Sequence, residues 1–190
     1  MYFRNGLKET AIDSLSKAAS FLEKTKDDPF SWKWYIIAVH HSLYCFMILA
    51  LSNSDQSGIW DEKYKSKKKQ ITFPNEDKKL IDFKTAYAWI QDKQRMGGYI
   101  NAKPFVPLPY HSDSIIEHLN YRLRNRLIHY APVSWSLSWE YLIQVTLPCL
   151  EVVEFLALQC GRFPMEENER EEVTRNLVVL RETAKHYLPK

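Results

Sequence analysis

The chain has 190 residues and a mass of 22.5 kDa, with 45% hydrophobic and 26% charged residues. That is enough for one domain with a buried core, and with only 5 Gly and 9 Pro it excludes collagen-like, low-complexity and wholly disordered chains. A net charge of +3 does not by itself mark a polyanion ligand, and the 6 Trp, 11 Tyr and 9 Phe indicate a class and no activity.

Residues from about Leu7 to Lys26 place Leu7, Ala11, Leu15, Ala18, Phe21 and Leu22 at three- and four-residue steps, which predicts an amphipathic helix stopping at Asp27-Asp28-Pro29. A second helix is expected from about Phe30 to Leu51. Within it, the eighteen residues Trp34 to Leu51 are apolar except for His40, His41 and Ser42, near the lower length for a membrane span. Three adjacent polar residues near the middle, and no second comparable segment, argue instead for a central bundle helix covered by neighbours or by a partner subunit. The polar stretch Ser52 to Gly58 ends it.

Asn75 is expected to cap a third helix, with Glu76 and Asp77 in its first turn and Leu80, Phe83, Tyr87 and Ile90 on its apolar face, ending near Gly97-Gly98. Residues 52–75 and 97–112 then read as loops, the second carrying Pro104, Pro107 and Pro109. Ser114-x-x-Glu117 resembles a capping box opening a fourth helix that finishes near Tyr130, before Pro132. A fifth runs from about Leu137 to Cys160, kinked or restarted at Pro148 and stopped by Gly161. A sixth, from about Met165 to Tyr187, forms an appended C-terminal element over 165–190, with the acidic stretch Glu166 to Glu169 at its dipole-favoured start. No glycine-rich phosphate loop, internal repeat or run of strands is visible. The expected architecture is a single all-α domain over residues 1–190, a mainly antiparallel, up-and-down bundle of about five to six helices.

Cys45, Cys149 and Cys160 are odd in number, lie in apolar stretches and form no C-x-x-C pair, so they read as reduced core thiols. The N-terminal residues lack a secretory signal, so the expected compartment is the cytoplasm, with no membrane partner. No metal and no cofactor are expected, because the histidines form no H-x-x-x-H pair and no carboxylates cluster with them. Charge is uneven: residues 1–100 hold 16 Lys or Arg against 12 Asp or Glu, and 101–190 hold 10 against 11. Much of the first-half surplus is the loop Lys63-Tyr64-Lys65-Ser66-Lys67-Lys68-Lys69, which suits either a solvated loop or a nucleic-acid backbone.

The fourth helix carries the chemistry. At about 100° per residue Ile116, Leu119, Leu123, Leu127 and Tyr130 form its packing face. On the other side His118, Arg122, Asn125 and His129 form a stripe, with Arg122, Arg124 and Arg126 clustered within five residues. An imidazole can exchange a proton near neutrality, and a guanidinium offers fixed donors to a phosphate and its transition state. Together they can cleave RNA without a metal: a base takes the 2′-hydroxyl proton, the oxygen attacks phosphorus, and arginine balances charge on the non-bridging oxygens. The same residues also suit a helix C-terminal dipole or acidic neighbours.

Arg124-Asn125-Arg126-Leu127-Ile128-His129 resembles the R-x4-6-H motif of the HEPN superfamily: arginine, a polar residue, three others, then histidine. The helix ends directly after it, and an earlier long apolar helix is also typical of that family. The resemblance implies an HEPN-like bundle and a homodimer in which two motifs face each other across the interface as one composite ribonuclease site. By position it implies His129 as general base or acid, Arg124 as phosphate ligand and Asn125 as the residue that orients one of them. It also suggests a toxin or antiviral defence effector, with an antitoxin or other regulatory protein as partner. RNA contacts are expected from Arg122, Arg126 and His118, and from Lys67, Lys68 and Lys69. In a straight helix Arg124 sits about 140° from His129 and Arg122 within about 20°, so either arginine can be the histidine's partner. His118, His40 and His41 read as structural, and Trp135, Trp139 and Tyr141 as either core residues or platforms for unpaired bases. The other reading is a non-catalytic HEPN-like bundle that binds nucleotides or a protein partner.

Overall fold

A computed structural model of the chain describes residues 6–64, 77–97, 102–108, 113–129 and 136–188. These residues build an all-helical bundle whose only β pairing, among the described residues, is an isolated bridge between Trp60 and Leu80. Helix α1 (Leu7–Lys24) buries Ala11, Leu15, Ala18 and Leu22, the face expected from its periodicity, against α2 (Ser31–Leu51). The α2 helix is buried on nearly every side. Tyr35, Val39, Leu43, Phe46 and Met47 are wholly enclosed, each such side chain contributing roughly 1.5–3 kcal/mol through burial.

What covers α2 differs from one expectation. An all-round apolar helix suggests a partner subunit, yet α1, α3 (Phe83–Ile90) and α7 (Trp139–Glu154) of the same chain already enclose most of it. Phe30, just before it, and Trp34 stay open, at 81% and 49% exposure. A second apolar helix comparable with α2 is also present: Trp139–Gln159 matches Ser31–Leu51 in length and mean hydropathy, and the most apolar stretches of the two are 61% and 72% buried in the bundle. It escapes notice in the sequence because Glu140, Glu151 and Glu154 interrupt it.

The third expected helix is shorter and divided. Asn75 and Glu76 lie outside the described residues, and Asp77–Leu80 are not helical: Leu80 sits in the bridge, while Asp61 and Ile81 N–H groups bond to Lys79 and Ile59 carbonyls. The cap is Asp82, whose carboxylate accepts the Thr85 N–H at 2.7 Å; Asp92 caps the short α4 (Lys93–Met96) in the same way. Two good caps in succession divide the segment where periodicity alone suggests continuity.

The fourth expected helix is continuous but not uniform. It begins as α5 (Asp113–Glu117), widens into a π-helical stretch, π1 (His118–Arg124), and closes as α6 (Asn125–Ile128). Ser114 thus lies inside the helix, one residue past its first, and Glu117 pairs with Lys84 of α3 at 2.5 Å. Tyr130 and Pro132 lie outside the described residues. Ser138 caps α7, which runs through Pro148 and ends in a second π stretch, π2 (Phe155–Gln159); Gly161 follows with φ +69°, the left-handed stop anticipated for it. Helix α8 (Glu167–Ala184) packs on α1 and α7, contributing Val173, Leu177, Leu180 and Ala184 to the same core. Its first turn does more than favour negative charge: Glu169 accepts both the Glu166 N–H and Lys8 of α1, each at 2.8 Å.

Arg162 holds the end of α2. Its side chain is 4% exposed and donates from Nε to the Ala50 carbonyl at 2.6 Å and from Nη2 to Asn53 Oδ1 at 3.3 Å. A guanidinium there satisfies a carbonyl orphaned at the helix end and matches the negative pole of the dipole. All three cysteines are buried and unpaired.

Candidate active site

The π1 stretch decides which side chains meet. In it the Asn125 N–H reaches back five residues to the Asn120 carbonyl, and the ordinary four-residue closure returns at His129 N–H to the Asn125 carbonyl, 2.9 Å. A five-residue closure adds a residue to the turn, so side chains beyond it rotate relative to a straight α-helix. The expected stripe of His118, Arg122, Asn125 and His129 is therefore split. The packing face survives, with Ile116, Leu119 and Leu123 buried and Leu127 half-buried.

Arg124 and Asn125 fall on the side facing α2. They line a cleft of about 630 Å³ with His40, His41 and Tyr44 of α2, Asp82 and Phe83 at the start of α3, and Asn120 and Tyr121 of π1. Arg124 Nη1 donates to Asn125 Oδ1 at 2.8 Å, so the polar residue after the arginine fixes the guanidinium directly. The Asp82 carboxylate holds the Thr85 N–H, which keeps its pKa below the ordinary carboxylate range, and no ion pair to Arg124 is present among the described residues. Tyr44 donates its hydroxyl to the Ile81 carbonyl, and burial raises its pKa. Tyr121, 50% exposed, gives the cleft an open aromatic wall.

The adjacent histidines divide by environment. His40 is 7% exposed, stacks on Phe83 with centroids 4.5 Å apart, and meets Asn120 Oδ1 at 2.9 Å through Nε2. Burial, against the favourable hydrogen bond to Asn120, lowers its pKa to about 4. It is structural, as expected. His41 is exposed, lines the cleft and meets Ser14 Oγ of α1 at 2.9 Å through Nδ1, so it departs from a buried structural histidine.

His118, Arg122 and Arg126 face the other way. They line a second cleft of about 270 Å³ with Leu137 and Tyr141, and His118 Nδ1 meets the Tyr141 hydroxyl at 3.0 Å. His129 ends α6 with an exposed ring and lines neither cleft. Trp139 is 45% exposed and stacks on Trp32 at 5.0 Å, so it is neither fully core nor free. Lys67, Lys68, Lys69 and Trp135 lie outside the described residues. Among the described residues no group of three or more His, Cys, Asp or Glu is placed to hold a metal ion.

Reading the sequence missed His41, Tyr44, Asn120, Tyr121 and Asp82 as neighbours of Arg124. The one available signal was the pair His40-His41 inside an apolar run, where at most one of two adjacent helix positions can point fully inward. Comparisons of the chain with protein-family models, with curated proteins and with solved structures find no match.

Chemically, the α2-facing cleft combines a fixed cationic fork, an oriented imidazole, neutral amides and an aromatic wall. That set suits a phosphate flanked by unpaired bases.

Proposed function

We propose that the chain is a metal-independent endoribonuclease of HEPN-like, antiparallel bundle architecture, cleaving RNA by attack of a ribose 2′-hydroxyl on the adjacent phosphorus. The observation that carries this reading is the Arg124–Asn125 pair at 2.8 Å on the wall of an open cleft, where the guanidinium forms no ion pair among the described residues. Arg124 binds the scissile phosphate and balances charge on its non-bridging oxygens, while Asn125 holds the guanidinium plane. His129 exchanges a proton with the substrate. Because His129 lines neither cleft of its own chain, the working form in this reading is a homodimer in which each Arg124 meets the partner's motif. The role is that of a cytoplasmic toxin or antiviral effector checked by a protein partner.

The test uses the purified protein with its Arg124→Ala and His129→Ala variants on labelled cellular RNA in excess EDTA. Products ending in a 2′,3′-cyclic phosphate and a 5′-hydroxyl, formed at least ~10²-fold more slowly by either variant, are the expected result. Equal rates in all three proteins, or no cleavage by the wild type, overturn the reading.

The second cleft favours the alternative, a bundle that binds nucleotides or a protein partner without chemistry. His118, Arg122 and Arg126 converge there beside Tyr141 as an anion-docking surface. Loss of a bound partner in pull-down on neutralising Arg122 and Arg126, with no RNA product from the wild type, is its signature.

A further inference from the structure

We infer that His41 is the general base of the cleft, an inference that rests on the ribonuclease reading. His41, Arg124 and Asn125 line one cavity of about 630 Å³, reached from two elements packed against each other, α2 and the π1–α6 segment. The His41 ring is exposed, as a base that meets substrate must be, and Ser14 of α1 holds its Nδ1 at 2.9 Å. With Nδ1–H donating to Ser14 Oγ, the ring presents the Nε2 lone pair for proton abstraction. His40 cannot take this role, because it is buried, stacked on Phe83 and bonded through Nε2 to Asn120.

Position distinguishes the two exposed imidazoles. His41 lines the cleft beside the Arg124 guanidinium of its own chain, whereas His129 ends α6 and lines neither cleft, which leaves it to act as the proton donor from a second copy. The other titratable groups around the cleft are His40 and Tyr44 on α2, Asp82 before α3 and Tyr121 on π1, while Asp13 and Lys17 flank Ser14 on α1 and pair with each other at 3.8 Å.

The step balances as follows. His41 Nε2 takes the 2′-hydroxyl proton while O2′ forms its bond to phosphorus and Arg124 holds the non-bridging oxygens. The P–O5′ bond breaks, and the departing O5′ takes a proton from His129 of a second copy. The products are a 2′,3′-cyclic phosphate and a 5′-hydroxyl, with one proton moved from His129 to His41 overall.

Leaving-group chemistry tests this assignment. An RNA oligonucleotide that the wild type cuts is remade with sulfur replacing O5′ at the cut site, because a thiolate leaves without a proton donor. His41→Asn and His41→Ala are expected to cut both substrates ~10²–10⁴-fold more slowly than the wild type. His129→Ala is slow on the oxygen substrate and restored on the sulfur one. Ser14→Ala, which only releases the ring, loses less than His41→Ala but equally on both substrates. An unchanged urea midpoint in the His41 variants confirms that the fold is intact. Wild-type rates in the His41 variants, or their rescue by sulfur, overturn the assignment while leaving the ribonuclease reading standing if Arg124→Ala and His129→Ala are inactive. No cleavage by the wild type overturns both.

Discussion

Between pH 7.5 and pH 4.5 the bundle is expected to lose stability through one buried imidazole, that of His40. Burial lowers its pKa from 6.5 to about 4, so the unfolded chain takes up the proton first as pH falls. The neutral ring therefore supplies stability that is fully present above about pH 6.5 and drains away as pH drops toward 4. Each pH unit in that window costs about 1.4 kcal/mol, so the interval from 7.5 to 4.5 removes about 2–3 kcal/mol, a large share of a domain's typical stability. The His40→Gln variant cannot titrate, and its amide N–H can still donate to Asn120. Urea unfolding of both proteins at the two pH values isolates the effect, since titration of the carboxylates is common to both. The difference in acid sensitivity between wild type and His40→Gln should be about 2–3 kcal/mol. Parallel pH dependence in the two proteins would refute the reasoning.

Replacing Arg162 with Met should cost about 3 kcal/mol in urea unfolding, because it removes charged hydrogen bonds and strands the Ala50 carbonyl in the core. Replacing Asp82 with Ala should cost about 1 kcal/mol at neutral pH through loss of the α3 cap; the wild-type cap fades as pH falls through the lowered pKa of Asp82, so the difference shrinks in acid. A thiol reagent at pH 8 should leave Cys45, Cys149 and Cys160 unmodified in the native protein and modify all of them in denaturant, since burial raises each thiol pKa, that of Cys45 to about 11. Rapid native labelling of any of them would contradict the packing described.

Helical class, most element positions and the buried face of α1 were legible because they rest on apolar spacing, which survives in any packing. The left-handed stop at Gly161 and the burial of the cysteines were legible for similar local reasons. The third helix was misjudged at its start because Asn75 and Asp82 are both good caps, and tertiary pairing of Leu80 with Trp60 selects the second. In the fourth helix the assumption of 100° per residue failed at π1, so Asn125 separated from His118 and Arg122. The site residues on α2 and α3 were illegible for a different reason: which elements meet Arg124 is a long-range fact that no local pattern encodes. The relation of Arg124 to His129 depends on a second copy in the proposed reading, which one chain's sequence does not describe.

The wide turn of π1 lets this helix carry one residue more than an α-helix needs over the same path. Deleting one residue between His118 and Arg124 while four-residue closure returns leaves everything after it near its present side, because four α-helical steps advance by about 400°, much as the five steps of the wide turn do. Asn125 then keeps the wall it shares with His41. A deletion within the regular turn of α5 instead rotates everything after it by about 100° and moves it by about 1.5 Å. Homologues that keep the cleft are therefore expected to keep the wide turn and the spacing from His118 to Asn125 together, or to lose both together and be one residue shorter there.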